Sequence, residues 1–279
     1  MPDTAPPNPQ AASDDAPDLA IVTPAHNEED NLEGLLAEIH DALQPTGLSY
    51  HVIVVDDRST DDTPRILAQL AAADPRLRPV RLVATGHGLR GLGPSAACGA
   101  GIAATRAAVI ATLDADRQND PADLPAMIDL LQRDRLDLVQ GDRTANRRDN
   151  LTRRVSSKVG RAFRSWVLQD DTPDSACALR VMSARAAHAL PLQYKGMHRF
   201  IAPWLKMNGF AVANYATHHR PRTAGVAKFG VWNRALPGLI DLLAVRWMAM
   251  RRRPIDTTPI GEPQAAQANA PAEPIRASA

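Results

Sequence analysis

Short apolar runs alternate with stretches of helical spacing through the first half of this chain, and this alternation limits the folds open to it. The runs lie at 19–23, 51–55, 80–83, 109–113 and 136–140. Between them, apolar residues recur every three or four positions, as on one face of a helix. Strands that alternate with helices in this way predict an α/β fold, with a mainly parallel sheet and helices on both faces.

The two ends of the chain differ in composition from the middle. Residues 1–17 are rich in Pro, Ala and Asp, and residues 254–279 are rich in Pro, Ala and Gln, which predicts disordered tails. One folded domain is expected over 18–235. Residues 236–253 form an apolar stretch interrupted by Asp241 and Arg246, which favours an amphipathic helix on a membrane surface over a spanning helix.

Composition restricts the partners and the compartment. The net charge of +1 offers no general argument for nucleic-acid binding. Two cysteines cannot build a disulfide framework and indicate a reducing compartment. Neither a secretory signal nor an uncharged apolar run of about 18 residues is visible. We therefore expect a cytoplasmic protein without a transmembrane helix.

The run at 109–113 is followed directly by two carboxylates one residue apart, Asp114 and Asp116, with Gln118 close behind. Ligands of open α/β sheets bind just beyond the carboxyl ends of the strands. Hard oxygen ligands at that position suit Mg²⁺ or Mn²⁺ holding a diphosphate. From these residues alone, carboxylates that cap the following helix are an equally good interpretation.

Basic residues are concentrated in the segment from 142 to 164. Its only acids are Asp142 and Asp149. From about Leu151, apolar residues at helical spacing form a stripe with basic flanks. This pattern favours a helix that binds anions or rests on a membrane surface, with a plain solvated face as the alternative. Further along, a strand is expected near the site at 174–181 and an edge strand at 214–217.

Five blocks in order give the chain a family resemblance. They are Val-Thr-Pro-Ala-His-Asn-Glu-Glu at 22–29, Val-Asp-Asp-Arg-Ser-Thr-Asp-Asp-Thr at 55–63, Gly-Pro-Ser-Ala at 93–96, Leu-Asp-Ala-Asp-Arg-Gln at 113–118, and Arg-Pro-Arg…Gly…Lys-Phe-Gly ending at 230. Together they resemble family 2 glycosyltransferases of the GT-A fold, and within these the polyprenol-phosphate branch that includes dolichol-phosphate mannosyltransferases. The glycine-rich loop before Ser95 lacks both Gly-x-Gly-x-x-Gly and a Walker lysine, which disfavours dinucleotide and P-loop sites.

The resemblance implies a donor site for a nucleotide sugar such as GDP-mannose or a UDP-sugar. It assigns Asp114, Asp116 and Gln118 to a Mg²⁺ or Mn²⁺ ion. The residues that it places at the nucleotide sugar are Pro24, Ala25, Asn27, Glu28, Asp56, Asp57, Ser95, Asp114, Arg222 and Lys228. Helix N-terminal charge for Glu28 and helix capping for Asp57 remain alternatives. Arg58 and Arg117 replace the glycine and leucine usual at these positions, and Asn119 replaces an acid.

The resemblance also implies an acceptor site for a polyprenyl phosphate, formed by Arg143, Arg153 and Ser157. Asp174 matches an acid of the family's Asp-x-x-Cys block, which could orient the sugar, act as a base or be structural. The catalytic residues expected are therefore Asp116, Arg143 and Asp174. His198 lies in a His-Arg-Phe block typical of this branch.

The expected reaction is a single displacement at the anomeric carbon with inversion, on the inner face of the cytoplasmic membrane. Either the amphipathic segment 236–253 or a small membrane-anchoring protein would bring the chain to its lipid. Two alternatives stay open at this point. One is a family 2 enzyme with a soluble or polysaccharide acceptor, and the other is a non-catalytic scaffold that binds sugar nucleotides.

Overall fold

The computed structural model describes residues 16–83, 91–144, 151–220 and 232–252, with only the backbone for 151–159 and 232–237. Within these ranges, seven strands form one sheet. They are β1 (Leu19–Ala25), β2 (Tyr50–Asp56), β3 (Val80–Arg81), β4 (Val109–Thr112), β5 (Leu138–Asp142), β6 (Arg180–Ser183) and β7 (Val212–Ala216).

The strand order is β3-β2-β1-β4-β6-β5-β7, and only β6 runs antiparallel to its neighbours. The chain adds β2 and β3 on one side of β1 and then crosses to place β4 on the other side. Such a reversal of strand order is where open α/β sheets bind their ligands. The predicted α/β class with a mainly parallel sheet is confirmed.

Helices cover both faces of the sheet. They are α1 (Leu32–Leu43), α2 (Thr63–Ala73), α3 (Pro94–Ala103), α4 (Leu124–Arg133), α5 (Leu151–Leu168), α6 (Ala184–His188), α7 (Ile201–Met207) and α8 (Trp232–Arg251). Side chains of α1, α2 and α4 pack in the core on one face, and those of α3 and α5–α8 in the core on the other. No helix in the described ranges is both long and apolar enough to cross a bilayer.

Two local expectations were wrong in extent. The strand expected over 174–181 begins only at Arg180, and β3 ends at Arg81 rather than at 83. Before β6, the Gln140 amide donates to the carbonyl oxygens of Asp174 and Cys177, at 3.2 and 3.1 Å. These carbonyls are therefore used by a side chain rather than by a neighbouring strand. The edge strand expected at 214–217 is confirmed as β7.

Two glycines permit close packing where a side chain would not fit. A Cβ on Gly101 of α3 would lie 2.4 Å from Val22 Cγ1, so the glycine lets this helix press against β1. A Cβ on Gly141 would lie 2.7 Å from the carbonyl oxygen of Leu179, so the chain before β6 can approach β5. The second contact lies at the sheet edge that carries the acidic residues.

Candidate active site at the carboxyl edge of the sheet

The acidic blocks expected from the sequence meet at one edge of the sheet. Asp56 ends β2, Asp114 and Asp116 follow β4, and Asp142 ends β5. Strand β6 runs in the opposite direction, so its first residue, Arg180, lies at this same edge. The five groups come from well-separated parts of the chain, and the parallel order of β1, β2, β4 and β5 brings them together.

The loop after β1 is braced against the loop after β2. Pro24 and Ala25 close β1, and the Ala25 carbonyl accepts a hydrogen bond from the Asp57 amide at 2.8 Å. Asn27 donates its backbone N–H to Ser59 Oγ at 2.9 Å and accepts at Oδ1 from the Thr60 amide at 2.8 Å. These bonds hold together the loops after β1 and β2, both of which are expected at the nucleotide. The two loops form one continuous wall of the site.

Glu28 continues that wall into α1. Its backbone N–H donates to Thr63 Oγ1 at 3.0 Å, and its carboxylate accepts from Asn31 Nδ2 at 2.8 Å. The position agrees with both interpretations of Glu28, since the residue lies just before the helix and beside the second loop.

Asp56 and Asp57 are both buried, at 2% and 6% exposure, and have different partners. Asp56 Oδ1 accepts from the Ser59 amide at 2.9 Å, and Oδ2 lies 3.3 Å from Arg81 Nε. Asp57 accepts from the backbone N–H groups of Leu92 and Gly93, both at 2.7 Å. Asp57 therefore fixes the end of the glycine-rich loop immediately before α3, rather than capping α2.

Arg58 adopts the left-handed backbone conformation, with φ +61°. This is the conformation that glycine, usual in the family at this position, adopts without strain. The loop after β2 thus keeps the glycine-like shape although a side chain replaces the hydrogen.

The Asp114 carboxylate is exposed to solvent at the cleft, whereas Asp116 is 8% exposed. Asp114 nevertheless lies among many protein atoms, so desolvation, followed by repulsion from Asp116, raises its pKa to about 6. Arg180 and Arg143 oppose that rise by attracting the carboxylate. A carboxylate whose pKa is raised by burial and by a neighbouring carboxylate lies where a cation is favoured.

The donor set fits an open Mg²⁺ or Mn²⁺ site. Asp116 Oδ1 accepts from the Gln118 amide at 3.2 Å, which fixes the turn that carries both side chains. In the part of the chain described here, no cluster of three His, Cys, Asp or Glu side chains could enclose a metal by itself. Mg²⁺ is commonly held by one or two carboxylates, water and substrate phosphates, which is what this pair offers.

Arg143 and Asp174 form a buried bidentate ion pair. Arg143 Nε lies 2.7 Å from Asp174 Oδ2, and Nη2 lies 3.1 Å from Oδ1. Burial alone would lower the pKa of Arg143, but the hydrogen bonds and the charge of Asp174 raise it above its usual value. The structure therefore joins two residues that the sequence assigned to separate tasks.

Arg180 belongs to the same cluster and was not predicted. Its guanidinium is 3% exposed, with Nε donating to Gln140 Oε1 at 2.9 Å. Its Nη2 donates to the carbonyl oxygens of Ser175 at 3.2 Å and His198 at 3.0 Å. The sequence contained one sign of this role, namely that Arg180 is a charged residue inside a stretch interpreted as a strand.

Ser95 and His198 connect the start of α3 to the turn before α7. Ser95 Oγ lies 2.9 Å from His198 Nδ1 and accepts from the His198 amide at 3.1 Å. Ser95 is 3% exposed, so its hydroxyl is used within the protein. The pair also lies next to Arg180, which holds the His198 carbonyl.

A second unpredicted network anchors the loop that carries Asp116. Arg117, in the left-handed conformation, pairs with Glu38 of α1 at 2.5 Å. Glu38 also pairs with Arg220 at 3.1 Å, and Arg220 pairs with Asp120 at 2.5 Å. The family's usual leucine at 117 could not make the first of these contacts.

The remaining predicted site residues lie outside the described structure. Arg222 and Lys228 fall in a range that is not described, and Arg153 and Ser157 are described only as backbone of α5. Their roles stay predictions.

Comparison with known proteins gives the chain its family. The model of glycosyl transferase family 2 matches residues 20–190. Dodecaprenyl-phosphate galacturonate synthase of Rhizobium johnstonii is 33% identical over 242 residues, which cover 85% of this chain and 69% of the relative. Undecaprenyl-phosphate 4-deoxy-4-formamido-L-arabinose transferase of Shewanella sediminis is 30% identical over 239 residues, covering 85% and 68%.

Solved structures share the fold. A mannosyltransferase of Pyrobaculum calidifontis in complex with GDP-Man and Mn²⁺ aligns with a TM-score of 0.57 at 19% identity, over 91% of this chain and 68% of that one. Glucosyl-3-phosphoglycerate synthase of Mycobacterium tuberculosis, in complex with Mn²⁺, UDP and its product, aligns with a TM-score of 0.54 at 20% identity, over 84% and 77%. These likenesses show a GT-A fold. The family model that matches residues 20–190, together with the relative that is 33% identical, establishes that the chain belongs to glycosyl transferase family 2.

Proposed function

We propose that this chain transfers a sugar from a nucleotide sugar to a polyprenyl phosphate, with inversion at the anomeric carbon and with Mg²⁺ or Mn²⁺. The observation that carries the proposal is that the exposed Asp114 and the buried Asp116 follow β4 close to the buried Arg143–Asp174 pair, since the charge of Arg143 acts on Asp114. One edge of the sheet thus offers sites for a divalent cation and for a phosphate. The relatives from Rhizobium johnstonii and Shewanella sediminis are named as polyprenyl-phosphate enzymes, which supports this acceptor class.

On the donor side, Asp114, Asp116 and Gln118 would hold the metal, which supplies positive charge to the departing diphosphate. The wall made by Asn27, Glu28 and the loop after β2 would border the base and ribose. Asp57 acts indirectly by fixing the loop before α3 through the Leu92 and Gly93 amides. Arg222 and Lys228 are proposed to contact the donor phosphates.

On the acceptor side, Arg143, Arg153 and Ser157 are proposed to bind the lipid phosphate. A phosphate oxygen is already anionic at neutral pH, so the reaction does not require a strong general base. Asp174 accepts two bonds from Arg143, and a carboxylate used in this way orients a cation better than it accepts a proton. We therefore assign Asp174 to holding Arg143 in place.

Access to a lipid acceptor would come from an apolar surface on α8. Ile240, Leu243, Trp247 and Met250 are 54–63% exposed and lie on one side of the helix. Leu242 and Val245, on the other side, are buried in the core. Arg251 lies over the Trp247 ring at 6.0 Å, and such pairs of aromatic and cationic residues are typical of helices at a bilayer surface. We infer peripheral binding to the inner face of the cytoplasmic membrane, through residues 236–253 or with an anchoring protein.

The test is transfer from a panel of radiolabelled UDP- and GDP-sugars to undecaprenyl and dolichyl phosphate, with Mn²⁺, Mg²⁺ or EDTA. A product that extracts into organic solvent and requires metal is expected from one donor. Transfer to a water-soluble or polysaccharide acceptor would replace the lipid proposal. Donor binding without any turnover would instead indicate a sugar-nucleotide scaffold.

The membrane surface has its own test. The double variant Leu243→Glu with Trp247→Glu is expected to lose flotation with anionic liposomes, because two charges would enter the apolar surface. Ala68→Glu, at an exposed position of α2, is the matched control and is expected to float normally. Equal flotation of all three proteins would exclude α8 as the membrane contact.

A further inference from the structure

Arg180 differs from the other buried arginines of the cleft in its partners. Arg143 pairs with Asp174, and Arg164 lies 3.3 Å from Asp170. All the acceptors recorded for Arg180 are neutral, namely the Gln140 amide oxygen and the carbonyl oxygens of Ser175 and His198. In the described ranges, no carboxylate forms an ion pair with Arg180.

A buried guanidinium without an ion pair is energetically expensive. Burial of a charge is strongly unfavourable unless it is paired and hydrogen-bonded, and side chains such as Arg are almost never fully buried otherwise. Neutral acceptors receive the hydrogen bonds of Nε and Nη2 of Arg180 but leave its charge uncompensated at short range. A buried charge in this position therefore indicates a functional role for Arg180 in addition to packing in the core.

The position of Arg180 in the sheet indicates what this role is. In the sheet it lies directly opposite Thr112, two residues before Asp114. Its charge attracts the Asp114 carboxylate, and the charges of Asp114 and Asp174 in turn favour the charged form of Arg180. The guanidinium thus acts on a carboxylate assigned to the metal as a cation that is fixed in a poorly screened environment.

We propose that Arg180 is a positioning residue of the donor site. Its fixed charge attracts a diphosphate, and it opposes the binding of a divalent cation as long as no diphosphate is bound. The inference rests on the proposed function and adds an order of binding, in which metal enters together with the diphosphate. Arg180 exerts this effect through space and through the segments it holds, Ser175 and His198, rather than by contact with the reacting atoms.

Two neutral variants test the charge. Arg180→Gln keeps some polar contacts, and Arg180→Met fills the volume with an apolar chain. The matched control is Arg185→Gln, which removes a positive charge just beyond the opposite end of β6, where the side chain is 73% exposed and paired with Asp137. Thermal unfolding and circular dichroism are recorded for each protein.

The two ligands are measured separately. Affinity for Mn²⁺ alone is followed by electron paramagnetic resonance, and affinity for pyrophosphate in EDTA by calorimetry. Each neutral variant is expected to bind Mn²⁺ about tenfold more tightly and pyrophosphate about tenfold more weakly than the wild type. Arg185→Gln is expected to match the wild type in both. Opposite signs are the signature of a charge, since damage to the site would weaken both ligands.

Four results would overturn the inference. Weakening of both ligands, or no change in either, would assign Arg180 to structure alone. Failure of both neutral variants to fold would do the same. If the wild type itself binds neither Mn²⁺ nor pyrophosphate, singly or together, the proposed function fails as well, which separates the two failures.

Discussion

Arg143 and Asp174 hold each other in a buried bidentate pair, with side chains 14% and 5% exposed, at the end of β5. Asp174 Oδ2 also accepts from the Arg143 amide at 3.3 Å, so backbone and side chain are fixed together. An acceptor phosphate would therefore meet a guanidinium whose direction is already set, which reduces the entropy lost on binding.

Replacing one partner should be more damaging than replacing both. Asp174→Asn is expected to lower the free energy of unfolding by about 3 kcal/mol, because a buried guanidinium loses its counter-charge. The double variant Arg143→Met with Asp174→Leu should recover most of that loss while remaining inactive. Urea unfolding of this double variant and of its two single variants, Arg143→Met and Asp174→Leu, completes the cycle, and additive effects of those two changes would contradict coupling between the residues.

Asp116→Asn should remove turnover and metal binding together. We expect kcat to fall by about a thousandfold or more, because the leaving diphosphate loses its neutralising cation. Asp134→Asn, at the end of α4, is the control for loss of one carboxylate far from the cleft. Near-normal turnover of Asp116→Asn at saturating metal would show that the ion is held elsewhere.

Asp114 should impose a pH dependence on the metal-free protein. Its pKa of about 6 is above the ordinary value of 3.8. The stabilising effect of the neutral form is therefore present below about pH 4 and is lost as pH rises through 6. In EDTA, Tm of the wild type should fall across this range relative to that of Asp114→Asn. Parallel Tm curves for the two proteins would mean that Asp114 keeps an ordinary pKa.

Glu38 should affect the donor without taking part in the chemistry. Glu38→Gln weakens the contacts to Arg117 and Arg220 and so loosens the loop that carries Asp116. We expect KM for the nucleotide sugar to rise about three- to tenfold, with kcat within about twofold of the wild type. Glu33→Gln, at an exposed position of the same helix, is the control. A fall in kcat with unchanged KM would instead place Glu38 in the catalytic step.

The sequence predicted the parts of the site that are local in the chain. Asp114 and Asp116 could be predicted as site residues because an apolar run ends directly before them, and an α/β sheet places such residues at its binding edge. Arg180 was missed because its meaning depends on β6 being reversed, and that pairing with β4 and β5 is not written in any short stretch. Arg117 was recognised as unusual, but its partner Glu38 lies 79 residues earlier.

The reversal of β6 also determines where the chain cannot vary. Strands β4 and β5 deliver their last residues to the cleft, whereas β6 delivers its first, so the segment between Leu168 and Arg180 reaches the cleft before it enters the sheet. Within that segment Asp174 pairs with Arg143, and Leu179 is buried in the core. An insertion or deletion at 169–179 would therefore disturb the core, the cleft and the entry to β6 together, so this segment tolerates substitution at its exposed positions but not a change of length.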